Sequence, residues 1–199
     1  KLDRDDVVDI TDFDVIAWLK AEMRGMLDEE LARAFLVGDG RLASSDDKIN
    51  ETHIRPIWTD EDFFTIKALV TLAANATEDD RAKAFIKTAV RAKKNYKGSG
   101  NATLYTTEDY VTDCLLLEDN LGHRLYKTEA DLASAMRVKK IVTVPVMENL
   151  TRTDDEGKKR TLMGIIVNPS DYNVGADKGG AVNMFDDFDI DYNQYKYLI

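Results

Sequence analysis

Residues 11–40 read TDFDVIAWLKAEMRGMLDEELARAFLVGDG, and no other stretch of the chain says as much about the fold. Ile16, Leu19, Met23, Met26, Leu27, Leu31, Ala34 and Phe35 recur at steps of three and four, which places them on one face of an α-helix. That face has to be buried against something. Thr11 with Asp14 reads as a capping box, and Asp12 and Asp14 put negative charge at the positive end of the helix dipole, so the helix is expected to begin near Asp12. Gly38 suits the left-handed conformation that ends helices, and Asp39-Gly40 continues as a turn. About 24 helical residues make a rod on the order of 36 Å long, roughly twice the usual globular helix. A rod of that length suits a scaffold. Glu29 and Arg33, at i,i+4, are expected on the opposite, solvated face, and Gly25, which costs about 1 kcal/mol inside a helix, is expected to mark a close contact.

The remaining composition is that of a globular chain. Its 199 residues suffice for one ordinary domain or two small ones, and 44% hydrophobic content supports a real core. There is no run of about 18 apolar residues and no basic-then-apolar leader, which makes a soluble chain the default expectation. The one cysteine, Cys114, has no intrachain partner and sits in an apolar run, where it reads as a small buried hydrophobe. Thirty-seven acidic against 27 basic residues give a formal net charge of -10, which repels phosphate backbones and argues against sequence-specific nucleic-acid binding. The basic cluster Arg91, Lys93, Lys94 and Lys97 closes a helix whose first turn is Glu78, Asp79 and Asp80, so dipole complementarity accounts for it. Lys1 is not an initiator and Tyr195 to Ile199 stop inside an apolar stretch, so the chain reads as a piece of a longer one.

Along the chain, the polar loop Arg41 to Glu51 is the expected domain boundary, followed by a short extended segment from His53 to Trp58. Helices are expected over 60–74 and 78–94, the second with Ala82, Phe85, Ile86, Ala89 and Val90 on one face. Gly98-Ser99-Gly100 reads as a flexible joint. Thr106 with Asp109 is expected to cap a helix reaching Glu118 and ended by Asn120 and Gly122, and Thr128 with Asp131 to start another. Val138 to Met147 and Thr161 to Asn168 read as two strands separated by a charged excursion over 148–160. Asp187, Asp189 and Asp191 alternate with Phe188, Ile190 and Tyr192, the pattern of a strand with one wet and one dry face. The order is α+β.

The residues suited to chemistry do not combine into a motif. Asp28, Glu29 and Glu30 lack the histidine three residues on that a helical di-iron site requires. The aspartates at 187, 189 and 191 resemble a calcium loop, but Tyr192 stands at the sixth position and Leu198 at the twelfth. His53 and His123 are distant from each other and lack the further ligands zinc needs. Gly38-Asp39-Gly40 and the glycines from Gly175 to Gly180 do not have phosphate-loop spacing. No catalytic, cofactor-binding or metal residue is therefore assigned, and no cofactor is implied.

Taken in order, these segments resemble a family. The helix and its Gly-Asp-Gly turn are similar to the spine helix of tailed-bacteriophage and prophage major capsid proteins. The resemblance continues over the stretch from Asn101 through Leu115-Leu116-Leu117-Glu118-Asp119-Asn120-Leu121-Gly122, which is similar to a family helix and its ending, then Val144-Pro145-Val146 as a strand with a Pro-Val pair. Ile166-Val167-Asn168-Pro169-Ser170-Asp171-Tyr172-Asn173-Val174-Gly175 and Gly179-Gly180 resemble the stretch that returns to the spine domain, so the match is collinear over nearly the whole chain.

The resemblance implies the Hong Kong 97 fold, an α+β fold with the spine helix in a peripheral domain over 1–40. A mainly axial domain follows over 41–180, and a strand over 181–199 returns to the peripheral domain. The family's N-terminal arm, extended loop and last strand are expected to lie outside this chain. The implied function is structural: copies form pentamers and hexamers that close, with other head proteins, into an icosahedral virion shell around double-stranded DNA. That shell would be made in the bacterial host cytoplasm, with no membrane and no catalysis. Crosslinking between subunits is not assigned, because the loop that carries the family's lysine is outside the chain. An encapsulin-like nanocompartment is the sister reading, and an α+β enzyme or ligand-binding domain is the reading from another class.

Overall fold

The computed structural model describes residues 2–3, 15–154, 157–175, 185–189, 191 and 194–198. Among these the chain is mixed α+β, with four α-helices and three small sheets. The chain divides into two compact units, one comprising residues 1–34 and 174–199, the other 35–173.

In the first unit lies most of helix α1 (Val15–Leu36), 22 residues long. The expected start at Thr11, Asp12 and Asp14 lies outside the described residues. Ile16, Leu19, Met23, Leu27 and Leu31 are half-buried and Ala34 is buried, so the stripe exists, but Met26 is 61% exposed. Two expectations for this helix fail. Nothing approaches within 4 Å of a Cβ built on Gly25, so no close contact requires a glycine there. Arg33 is half-buried rather than solvated, and its Nε is buried without a hydrogen-bond partner among the described residues.

Strands β1 (Leu2–Asp3), β7 (Phe185–Asp189) and β8 (Gln194–Leu198) form an antiparallel sheet in the order β1-β8-β7. Phe185 lies opposite Leu198 and Asp189 opposite Gln194. The strand expected near residue 188 is present, but its wet and dry faces are not: Phe185 and Phe188 are exposed, while Asp189 is covered and paired with Lys196. Ile190 and Tyr192 lie outside the described residues. Lys20 of α1 stands over the Tyr197 ring at 5.4 Å.

The second unit is built on the sheet β3-β2-β6. Strand β2 (Thr103–Thr106) pairs in parallel with β3 (Ile141–Thr143) and antiparallel with β6 (Gly164–Val167). Helices α2 (Glu78–Ala92), α3 (Glu108–Leu115) and α4 (Glu129–Met136) contribute to one core with Leu104 of β2. Ala82, Phe85 and Ala89 of α2, Val111 and Cys114 of α3, and Leu132, Ala133 and Met136 of α4 are buried in it. The expected face of α2 is thus the buried one, with Ile86 and Val90 at its half-buried margin. Thr77 and Asp80 close a reciprocal capping box before α2, and Thr128 and Asp131 close the expected one before α4.

Several sequence expectations are corrected in this unit. Residues 60–76 form turns and irregular backbone instead of a helix: Asp60 is spent on Arg55, and Phe63, Phe64, Ile66, Leu69 and Leu72 remain exposed. Residues 53–58 turn back instead of extending, because the Ile57 and Trp58 N–H groups donate to the Phe35 and Leu36 carbonyls at 2.9 and 3.0 Å. They thereby satisfy acceptors that the end of α1 leaves open. Helix α3 starts after Thr107 rather than Thr106, whose hydroxyl donates to the Met163 carbonyl at 2.6 Å within the sheet, and it stops at Leu115. The strand expected through Met147 ends at Thr143, and Val144-Pro145-Val146 is no strand: Pro145 opens a 3-10 turn. The charged excursion is itself a hairpin of β4 (Thr151–Thr153) and β5 (Lys159–Thr161).

Candidate functional site

The residues tested above for chemistry are scattered. Asp28, Glu29 and Glu30 are exposed on α1, and among the described residues no group of three or more His, Cys, Asp or Glu is arranged to hold a metal ion. His53 is exposed in a turn. His123 closes a turn with Asp119, whose carboxylate accepts the Leu121 and His123 N–H groups at 2.8 and 2.9 Å and is thereby held below the usual carboxylate range. Burial, then the neighbouring Asp113 charge, pushes the Cys114 thiol up to about 12, which keeps it protonated and unreactive at neutral pH. No described helix is long and apolar enough to cross a membrane.

What the fold does assemble is a pair of polar clasps in the second unit, each closing a loop named in the sequence. The first follows α1. Gly38 takes the left-handed backbone (φ +90°) expected of it, and the next side chain, Asp39, is turned inward with only 3% of it exposed. Its Oδ1 accepts the Arg41 N–H at 3.1 Å and Lys48 Nζ at 2.6 Å, while Oδ2 accepts the Ile49 N–H at 2.8 Å. Lys48 also reaches Glu51 at 2.5 Å. Burial alone would raise the Asp39 pKa, but the Lys48 and backbone hydrogen bonds outweigh it and lower the value from 3.8 to about 2. Hydrogen bonds to the Asp39 and then the Glu51 carboxylate raise the Lys48 pKa. The polar loop over 41–51 is therefore folded around a buried carboxylate.

The second clasp joins segments 72 positions apart. The Ser99 N–H donates to Asp171 Oδ2 at 2.8 Å, and the Ser99 hydroxyl donates to Asp171 Oδ1. Asn168 Nδ2 donates to the Ser99 carbonyl at 2.8 Å and to its hydroxyl oxygen at 3.1 Å. A Cβ on Gly98 would collide with the Tyr96 hydroxyl and stand 2.6 Å from Asp171 Oδ2, so a larger residue would have to push these side-chain ends out of the latch. Gly98-Ser99-Gly100 is thus a hydrogen-bonded latch rather than the free joint expected from its composition. Burial, then the Asp171 charge, holds the Tyr96 phenol above its ordinary range. Next to this latch, Tyr172 packs its ring 5.2 Å from Phe35 and donates its hydroxyl to the Arg55 carbonyl at 3.1 Å. Arg55 in turn pairs with Asp60 and stands 4.0 Å above the Phe64 ring.

Both clasps spend their polar groups on the chain's own backbone. Among the described residues Ser99 is bonded to the Asp171 carboxylate and the Asn168 amide, an arrangement that fixes the two loops to each other. Sequence reading missed Asp39, Lys48, Ser99, Asn168 and Asp171 as a set because each partner is supplied by folding. Comparison of the chain with protein-family models, with curated proteins and with solved structures finds no match.

Proposed function

We propose that this chain is the major capsid protein of a tailed phage or prophage, with the Hong Kong 97 fold, and that its role is structural. The observation that carries the reading is α1: a helix of 22 residues, about 33 Å long, whose apolar stripe is only half-buried and which runs into the clasped Gly38-Asp39-Gly40 turn. A long helix with an unfinished apolar face suits a thin shell subunit that completes its burial against neighbouring copies. The collinear sequence resemblance supports the same reading, and the mixed α+β second unit is compatible with it.

On this reading copies form pentamers and hexamers that close, with other head proteins, into an icosahedral virion shell around double-stranded DNA, without catalysis, cofactor or membrane. The net charge of -10 suits a container wall that does not grip the packaged phosphate backbone. The test is to purify particles of the full-length protein from phage-producing cells and analyse their contents. Nuclease-protected duplex DNA is expected. Particles enclosing a protein cargo and no DNA would favour the encapsulin-like shell, and salt-insensitive tight binding of the free protein to duplex DNA would contradict the proposed passive wall.

A further inference from the structure

The segment expected to be a helix and found irregular is left with unused bonding capacity. Among the described residues, no backbone N–H from Ile66 to Asn75 donates to another backbone group, and Phe63, Phe64, Ile66, Leu69 and Leu72 are exposed around it. Unpaired backbone flanked by apolar side chains is a template for strand addition. Beside it, α2 carries the exposed Lys83, Lys87 and Arg91 at steps of four, about 6 Å apart along the helix axis. Together with Leu69, Thr71 and Thr88 these cations line an open groove of about 450 Å³. Lys83 has Asp79 at 3.5 Å, whereas Lys87 and Arg91 have no acidic partner among the described residues. Two unpaired cations beside apolar side chains, on a chain of net charge -10, mark a surface built for an acidic and partly apolar ligand.

The chain itself contains such a ligand. Strand β7 reads Phe185-Asp186-Asp187-Phe188-Asp189, is an edge strand among the described residues, and exposes Phe185, Asp186 and Asp187. We infer that strand β7 of a second copy of this chain docks along Ile66–Leu72 in the α2 groove, its Asp187 carboxylate, on the same strand face as Phe185, set between Lys87 and Arg91, with Asp186 on the opposite face adding to the local negative charge. Phe185 then finds apolar cover at Leu69, which a phosphodiester backbone would not use. The two surfaces differ, so each copy offers a groove to one neighbour and a strand to another. Contacts of that kind form rings where the rotation between copies closes and open filaments where it does not. The inference rests on the self-assembling reading above and names the contact through which copies would join.

Charge exchange tests it. In the full-length protein, K87E/R91E and D186K/D187K should each weaken self-association about tenfold or more in sedimentation velocity at fixed moderate salt, and the fourfold variant should recover most of the loss. All four side chains are exposed, so circular dichroism should be unchanged. If either charge-reversed pair loses helicity, K87Q/R91Q and D186N/D187N replace them, with the same weakening expected. Unchanged association in both double variants, no recovery in the fourfold variant, or a wild-type protein that stays monomeric would overturn the inference. So would duplex DNA binding that is lost in K87E/R91E while self-association persists, since it would put nucleic acid in the groove. Electron microscopy of the same samples separates the two readings. Intact shells from both double variants reject this contact and leave the capsid reading standing, whereas charge-dependent rings that never close into shells keep the contact and reject the capsid reading.

Discussion

Asp39 shows how one side chain can hold a loop. Its folded carboxyl has a pKa of about 2 against 3.8 in an unconstrained chain, so over that interval the unfolded state binds more protons and stability rises with pH. The contribution, roughly 2.5 kcal/mol at most, is complete above about pH 5 and is lost as pH falls through the range from about 4 toward 2. Asp39→Asn should remove this dependence and cost about 1–3 kcal/mol at neutral pH, read by urea denaturation at a series of pH values. An unchanged pH profile would show that Asp39 is not the group responsible. Two glycines make a second comparison. Gly98→Ala forces a Cβ into Tyr96 and Asp171 and should destabilise by about 1–3 kcal/mol, whereas Gly25→Ala fills open space in a helix and should stabilise by up to about 1 kcal/mol, both measured by thermal melting. In the sequence Gly38-Asp39-Gly40 is visible as a turn, but nothing there shows that the carboxylate points inward to Lys48. Ser99 and Asp171 are further still from legible, since only the completed fold brings them together.

At the level of elements, legibility follows how local the determining interaction is. Helix α2 could be read from its apolar face and α4 from its capping box because each signal lies within the segment's own residues. The helix expected over 60–74 fails because its apolar pattern finds no burial and its polar residues are used in other bonds: Asp60 pairs with Arg55, Thr65 bonds back to the Asp60 and Glu61 carbonyls, and no core is offered to the apolar side chains. The same competition moves the start of α3, where Thr106 is claimed by the sheet. These assignments predict opposite outcomes for two phenylalanines. Phe85→Ala, in the core of α2 at 6% exposure, should cost about 3–5 kcal/mol in chemical denaturation. Phe63→Ser, at 87% exposure, should leave the monomer within about 0.5 kcal/mol of wild type. A large loss at Phe63 would mean that the segment is packed within the subunit rather than open to a partner.

At the level of the molecule, the α+β composition is evident from the order of helical and β-branched segments, while the division into residues 1–34 with 174–199 and residues 35–173 depends on contacts no local pattern reveals. On the proposed reading, the surfaces left unfinished are those that neighbouring copies would cover: the half-buried stripe of α1, the open segment from Phe63 to Leu72, and the acidic strand β7. Each is costly for an isolated protein and useful for one that is covered by its neighbours. The decisive experiment is electron microscopy of the purified full-length protein at assembly concentration. Closed icosahedral shells built from rings of five and six copies are the predicted result, and a population that remains small and monomeric across salt and concentration would contradict it.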